Sequence, residues 1–268
     1  MSDADIRVRG DRLETALRAG RDTGRKLLVP YVTGGLPGWE RVVEAVADAG
    51  ADAIEVGIPF SDPVMDGPTI QAASEQALAA GATPMGIVSA MADLDVGAIP
   101  LVVMTYYNTV HHDGHERFAA SLAAAGVAGA IVPDLPLEEL DPWAAAADGA
   151  GVATVLLAAP TGSDERLLRI CERARGWVYG VGLLGVTGER AQLARSALEI
   201  ADRLKQLTDK PVLVGVGVSD PAQAAEVASV ADGVIVGSAL VRRLLDGGGV
   251  EAAAAFVAEL RAGLDAIG

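Results

Sequence analysis

An α/β barrel of eight parallel strands, each followed by a helix, is the fold class this sequence predicts, on three observations. The chain has 268 residues, a length at which such barrels run as one domain. Hydrophobic residues make up 51% of it but aromatic ones only 4%, so the core must be Ala, Val, Leu and Ile, which suits a buried parallel sheet covered by helices. One unit also recurs: an Ala-rich helical segment, a small-residue turn with glycine placed as a helix C-cap, then a short strand.

The elements follow in order. A short helix near Asp11 to Ala19 leads. The first strand starts near Leu27 and runs to the turn Thr33-Gly34-Gly35-Leu36-Pro37. The second starts near Ala53, after Ala49-Gly50-Ala51-Asp52, and the third near Leu101. The fourth, near Ala130, lies in Ala125-Gly126-Val127-Ala128-Gly129-Ala130-Ile131-Val132, and the fifth, near Thr154, follows Ala150-Gly151-Val152. The sixth and seventh start near Trp177 and Val212, and the eighth, near Val234, follows Ala231-Asp232-Gly233. Helical patterns separate all of them, as parallel strands require. The set reads as a (β/α)8 TIM barrel with a short N-terminal helix. No linker or composition break appears, so residues 1–268 are read as one domain. A doubly wound open sheet is the alternative, but no G-x-G-x-x-G follows the first strand.

The formal net charge of −15 argues against a nucleic-acid or anionic-membrane partner, since nothing would neutralise phosphates over a broad surface. One bound phosphate stays possible, because a nest of backbone N–H groups can hold it. The single cysteine, Cys171, sits in a helical pattern and reads as a small packed hydrophobe. It cannot form an intrachain disulfide, which fits a cytoplasmic location. The polar start, Met1 to Arg12, shows no signal peptide, and no apolar run approaches the roughly 20 residues of a membrane span.

The chemistry is expected at the C-terminal ends of the strands. The most informative stretch runs from Glu55 to Gln71. It opens with Glu55 at the end of an apolar strand and closes with Asp66 before a helix begun by Pro68. If Ile54, Val56 and Ile58 face the helices, Glu55 and Gly57 face the barrel interior. Desolvation then raises the Glu55 pKa, which suits a group that donates and accepts a proton near neutrality. An ion-paired core carboxylate is the bland alternative for Glu55, and a plain helix cap for Asp66. Glycine clusters at Gly185-Val186-Thr187-Gly188, Gly215-Val216-Gly217-Val218-Ser219 and Gly237-Ser238 fall at later strand ends. The last two follow the seventh and eighth strands, where such barrels commonly bind phosphate on backbone N–H groups. The glycines of 182–188 also permit a lid. His111, His112 and His115 match no standard zinc spacing and read as a solvated loop, so no metal site is expected. Asp134 reads as a loop cap or a partner contact.

In these segments the chain closely resembles the tryptophan synthase alpha chain family. The matching motifs are Leu28-Val29-Pro30-Tyr31-Val32-Thr33, Glu55 to Pro63 with Asp66 to Gln71, Met104-Thr105-Tyr106-Tyr107-Asn108 and Pro133-Asp134-Leu135-Pro136. Ala159-Pro160-Thr161 and the glycine clusters at 185–188 and 215–219 continue the match. The resemblance implies retro-aldol cleavage of indole-3-glycerol phosphate to indole and glyceraldehyde 3-phosphate, without metal or redox cofactor. It implies Glu55 as acid/base and Asp66 against the indole N–H. Phe60, Tyr106, Tyr179, Thr187, Gly188, Gly217, Gly237 and Ser238 are the implied substrate contacts, the last four around the phosphate. A tryptophan synthase beta chain is the implied partner, in an alpha2-beta2 complex, taking indole through a tunnel. Leu36 replaces an acid common in the family, and Thr109 a common proline. A partner-free lyase, or another phosphate-binding barrel enzyme of the same pathway, is the alternative.

Overall fold

Eight parallel strands close on themselves in chain order. They are β1 (Leu27–Thr33), β2 (Ile54–Gly57), β3 (Leu101–Met104), β4 (Gly129–Ile131), β5 (Ala153–Ala158), β6 (Val178–Val181), β7 (Val212–Gly215) and β8 (Gly233–Val236). Each begins within one residue of its expected start. The structure, a computed structural model, describes residues 12–182, 190–215 and 217–268.

Helices fill the crossovers: α1 (Arg12–Arg21), α2 (Trp39–Asp48), α3 (Pro68–Ala79), α4 (Pro84–Met91), α5 (Tyr107–Asp113), α6 (His115–Ala124), α7 (Asp141–Ala150), α8 (Asp164–Arg173), α9 (Arg190–Leu207), α10 (Pro221–Ala228), α11 (Ser238–Leu245) and α12 (Gly249–Asp265). None of the described helices is long and apolar enough to cross a membrane. Cys171 is buried on α8, as a packed hydrophobe should be.

Alternation along the strands builds two cores. Leu27, Val29, Ala53, Val102, Ile131, Trp177, Leu213 and Ile235 point inward and fill the barrel. Leu28, Ile54, Val56, Val103, Val214 and Val234 point outward and meet the helices. The leading helix closes the N-terminal end. Leu13 of α1 is fully buried there against Gly129 and Gly176, where a Cβ would come within 2.8 and 2.6 Å of its Cδ2. That plug leaves the C-terminal end as the open one, where catalytic side chains of this architecture sit.

Candidate active site

Glu55 lies on β2 between two outward-facing residues, Ile54 and Val56, while Ala53 belongs to the barrel interior. Period-2 alternation therefore turns Glu55 and Gly57 inward. Glu55 is 1% exposed, and its Oε2 has no hydrogen-bond partner. Among the described residues no cation pairs with it, which gives the ion-paired alternative no support there. Burial, and then the negative charge of Asp66, push its pKa up to about 8. A carboxyl in that range exchanges a proton readily near neutral pH.

Two tyrosines wall the same space. Tyr31 stands opposite Glu55 in the β1–β2 register, and its ring crosses to cover Gly57. A side chain at Gly57 would overlap the Tyr31 hydroxyl. Tyr179 does the same over Gly215, where a Cβ would come within 2.6 Å of its hydroxyl. Burial raises both phenol pKa values, and Glu55 adds to each. The resemblance implies Tyr179 as a site residue; Tyr31, which lies in a matching segment, is an addition from the structure. Parity marks it in the sequence, since Tyr31 follows the inward-facing Leu27 and Val29 at two-residue steps on β1.

Asp66 reaches the site from the loop after β2. The rings of Phe60 and Tyr106 stack, centroids 5.0 Å apart at 25°. The buried Tyr106 hydroxyl accepts a hydrogen bond from the Met65 N–H at 2.9 Å. The Asp66 carbonyl accepts one from Gln71 Nε2 at 2.8 Å. Burial raises the Asp66 pKa, with the neighbouring Tyr106 hydroxyl opposing. Burial, eased by the Met65 N–H, pushes Tyr106 up to about 12. The plain-cap alternative for Asp66 fails: Gly67 is the N-cap of α3, with no side-chain cap, and Pro68 opens the helix.

Across the mouth, Gly237 is the N-cap of α11 and the exposed Ser238 its first residue. The first-turn N–H groups of such a helix lack intrahelical partners and attract anions. At Gly237, φ is −112° and a Cβ would rest 3.4 Å from Tyr31 Cβ, an ordinary contact. Neither packing nor backbone conformation thus demands glycine there. Gly217 does need glycine, with φ +68° and open space around it. Thr187 and Gly188, and the lid expected over 182–188, fall on or overlap positions outside the described residues.

The remaining expectations resolve locally. Asp134 accepts the Tyr107 N–H at 2.8 Å, capping α5 from the loop after β4. The histidines are helical rather than in a loop: His111 and His112 end α5, and His115 opens α6. Tyr107 packs against His111 and His115, and its hydroxyl lies 3.0 Å from His115 Nε2. A cavity of about 450 Å³ lies beside the mouth, lined among others by Val132, Asp134, Leu157 and Arg166.

Comparison with known proteins agrees with this architecture. Residues 17–263 match the family model described as tryptophan synthase alpha chain. The tryptophan synthase alpha chain of Thermobifida fusca is 46% identical over 267 residues, covering 95% of this chain and 98% of that protein. That of Streptomyces avermitilis is 44% identical, covering 96% of both. Among solved structures, aminoacrylate-bound tryptophan synthase from M. tuberculosis superposes with a TM-score of 0.86 at 39% identity, over 95% of this chain and 99% of that one. The alpha subunit from Legionella pneumophila gives 0.86 at 31%, over 96% and 99%.

Proposed function

Because this chain belongs to the tryptophan synthase alpha chain family, we propose that Glu55 and Asp66 together carry its reaction. Membership makes it a lyase that cleaves indole-3-glycerol phosphate to indole and glyceraldehyde 3-phosphate in tryptophan biosynthesis. The observation that carries the residue assignment is the buried, unpaired Glu55 carboxyl at the mouth, with its pKa pushed up to about 8.

The bond to break joins indole C3 to the first glycerol carbon. Protonated Glu55 gives its proton to C3, and positive charge develops at the ring nitrogen. Asp66, held by its own loop, stabilises that charge. The Glu55 carboxylate then takes the proton of the hydroxyl on the first glycerol carbon. The C–O bond becomes the aldehyde, the C–C electrons restore the indole ring, and Glu55 ends protonated as it began. Phe60, Tyr106 and Tyr179 line the ring site. Gly217, Gly237 and Ser238 hold the phosphate, joined by Thr187 and Gly188. Glycine at Gly237, which the fold itself does not demand, supports close approach of an anion there.

The partner is a tryptophan synthase beta chain, in an alpha2-beta2 complex in the cytoplasm. Exposed Asp62, half-buried Pro63 and the turn after Asn108 are its candidate contacts on this chain. The test incubates purified chain with indole-3-glycerol phosphate and measures both products. Equimolar indole and glyceraldehyde 3-phosphate are expected. An isomerised phosphate without indole would overturn the reading.

A further inference from the structure

We infer that Arg242 is a positioning residue for the cleavage, tying the helix that holds the phosphate to the helix that begins beside Asp66. The inference rests on the site proposed above and adds to it a residue that no part of that reading uses.

The topology makes such a tie possible. α11 follows β8 and starts at Gly237 and Ser238, and α3 follows β2 and starts directly after Asp66 and Gly67. β1 lies between their two strands, so α2 would ordinarily separate them. Instead α2 packs on α12, and α11 and α3 pack directly on each other and on β1. The holders of the two ends of the substrate are therefore neighbours.

Arg242 lies one turn after Ser238, on the same face of α11. Its Nη2 donates to Thr69 Oγ1 at 2.7 Å, across 173 residues of sequence. Among the described residues, this is the hydrogen bond that joins the two helices, and Arg242 makes no ion pair. Thr69 stands between Asp66 and Gln71 in the first turn of α3. The other side of this segment is held by Tyr106, which accepts the Met65 N–H, and Gln71 bonds back to the Asp66 carbonyl. Asp66 is thus gripped from β3 through Tyr106 and from β8 through Arg242 and Thr69. Without Arg242 this hydrogen bond is lost and the first turn of α3 is held to α11 by packing alone.

A single substrate molecule places its ring at Asp66 and its phosphate at Ser238. Fixing the span between those two holders aligns the ring nitrogen with the carboxylate before reaction. The loss should therefore appear in kcat and leave the intrinsic affinity for phosphate alone. One hydrogen bond from a charged donor, solvent-exposed as this one is, biases such a shift by about fivefold.

The test measures indole release and inhibition by inorganic phosphate, with the beta chain saturating. Arg242→Ala, Thr69→Val and the double variant are compared with wild type, with Arg242→Lys and Thr69→Ser as donor-retaining and hydroxyl-retaining controls. Each disrupting single variant should lower kcat about fivefold, and the double variant no further. The phosphate inhibition constant should stay within about twofold, and the two controls should keep most of the turnover. Arg242→Ala turnover within about twofold of wild type, or losses that multiply in the double variant, would overturn the tether. A weaker inhibition constant that tracks the loss of kcat/KM would assign Arg242 to the phosphate and overturn positioning. Should Thr69→Val fail to fold, the contrast of Arg242→Ala with Arg242→Lys decides. Asp66→Asn runs alongside: full turnover in that variant would overturn the underlying site reading, whereas an inactive Asp66→Asn beside an unaffected Arg242→Ala would overturn the tether alone.

Discussion

The hydroxyl of Tyr31 occupies the space that a side chain at Gly57 would fill, and Gly57 is the next inward-facing residue after Glu55 on β2. The glycine and the tyrosine are one feature: the ring can lean over the mouth only because the neighbouring strand is bare there. Gly57→Ala should displace a buried ring. Overpacking of this kind costs about 1–3 kcal/mol. Thermal unfolding should show the loss, and indole release should fall with it. An alanine variant as stable and as active as wild type would contradict the packing described.

The elevated Glu55 pKa also makes stability depend on pH. The unfolded carboxyl titrates near its ordinary value of 4.5, and the folded one at about 8. Between those values the folded state holds a proton that the unfolded state has lost, so stability falls as pH rises through the window. Below the lower value the contribution is fully present. Denaturant unfolding from pH 5 to 8.5 should show this decline, and Glu55→Gln should flatten it. An identical slope in the variant would place the titrating group elsewhere.

At the phosphate end, Gly237→Val is expected to fold, because a Cβ at that position meets Tyr31 only at an ordinary contact distance. The same side chain would stand where, in the proposed site, backbone N–H groups face the anion. Calorimetry should show glyceraldehyde 3-phosphate binding weakened sharply, while in wild type sulfate competes with it. Unchanged binding in the folded variant would move the phosphate site away from α11.

Strand positions were legible because the Ala-rich unit and its glycine cap repeat, and local periodicity fixes a strand to within a residue. The inward aim of Glu55 was legible for the same reason. What the sequence left open depends on contacts between distant segments. Asp66 was readable as a helix cap until Gly67 proved to hold that place and Tyr106, forty residues on, lay beside the carboxylate. The hydroxyl of Tyr31 and the Arg242–Thr69 bond depend on which strands and helices become neighbours. Nothing local in sequence records that.

The chain alone is expected to be a slow enzyme that its beta partner accelerates. The loop between β2 and α3 carries Asp66 and exposes Val64 and Met65 to solvent at 76% and 43%. Closing it would exclude water and align the carboxylates. A partner docked beside the mouth can favour closure, with each ~1.4 kcal/mol shifting the equilibrium tenfold. Titrating in a beta chain whose own indole-consuming chemistry is blocked should raise indole release severalfold. A flat response would remove the coupling.

Indole release by Glu55→Gln decides whether this carboxyl carries the proton. The amide keeps the size of the carboxyl but cannot cycle a proton between C3 and the glycerol hydroxyl. General acid/base groups contribute roughly 10²–10⁴-fold, so turnover should fall by about that factor in a protein whose circular dichroism matches wild type. Turnover within about twofold of wild type in the folded variant would show that the buried carboxyl of β2 does not carry the proton.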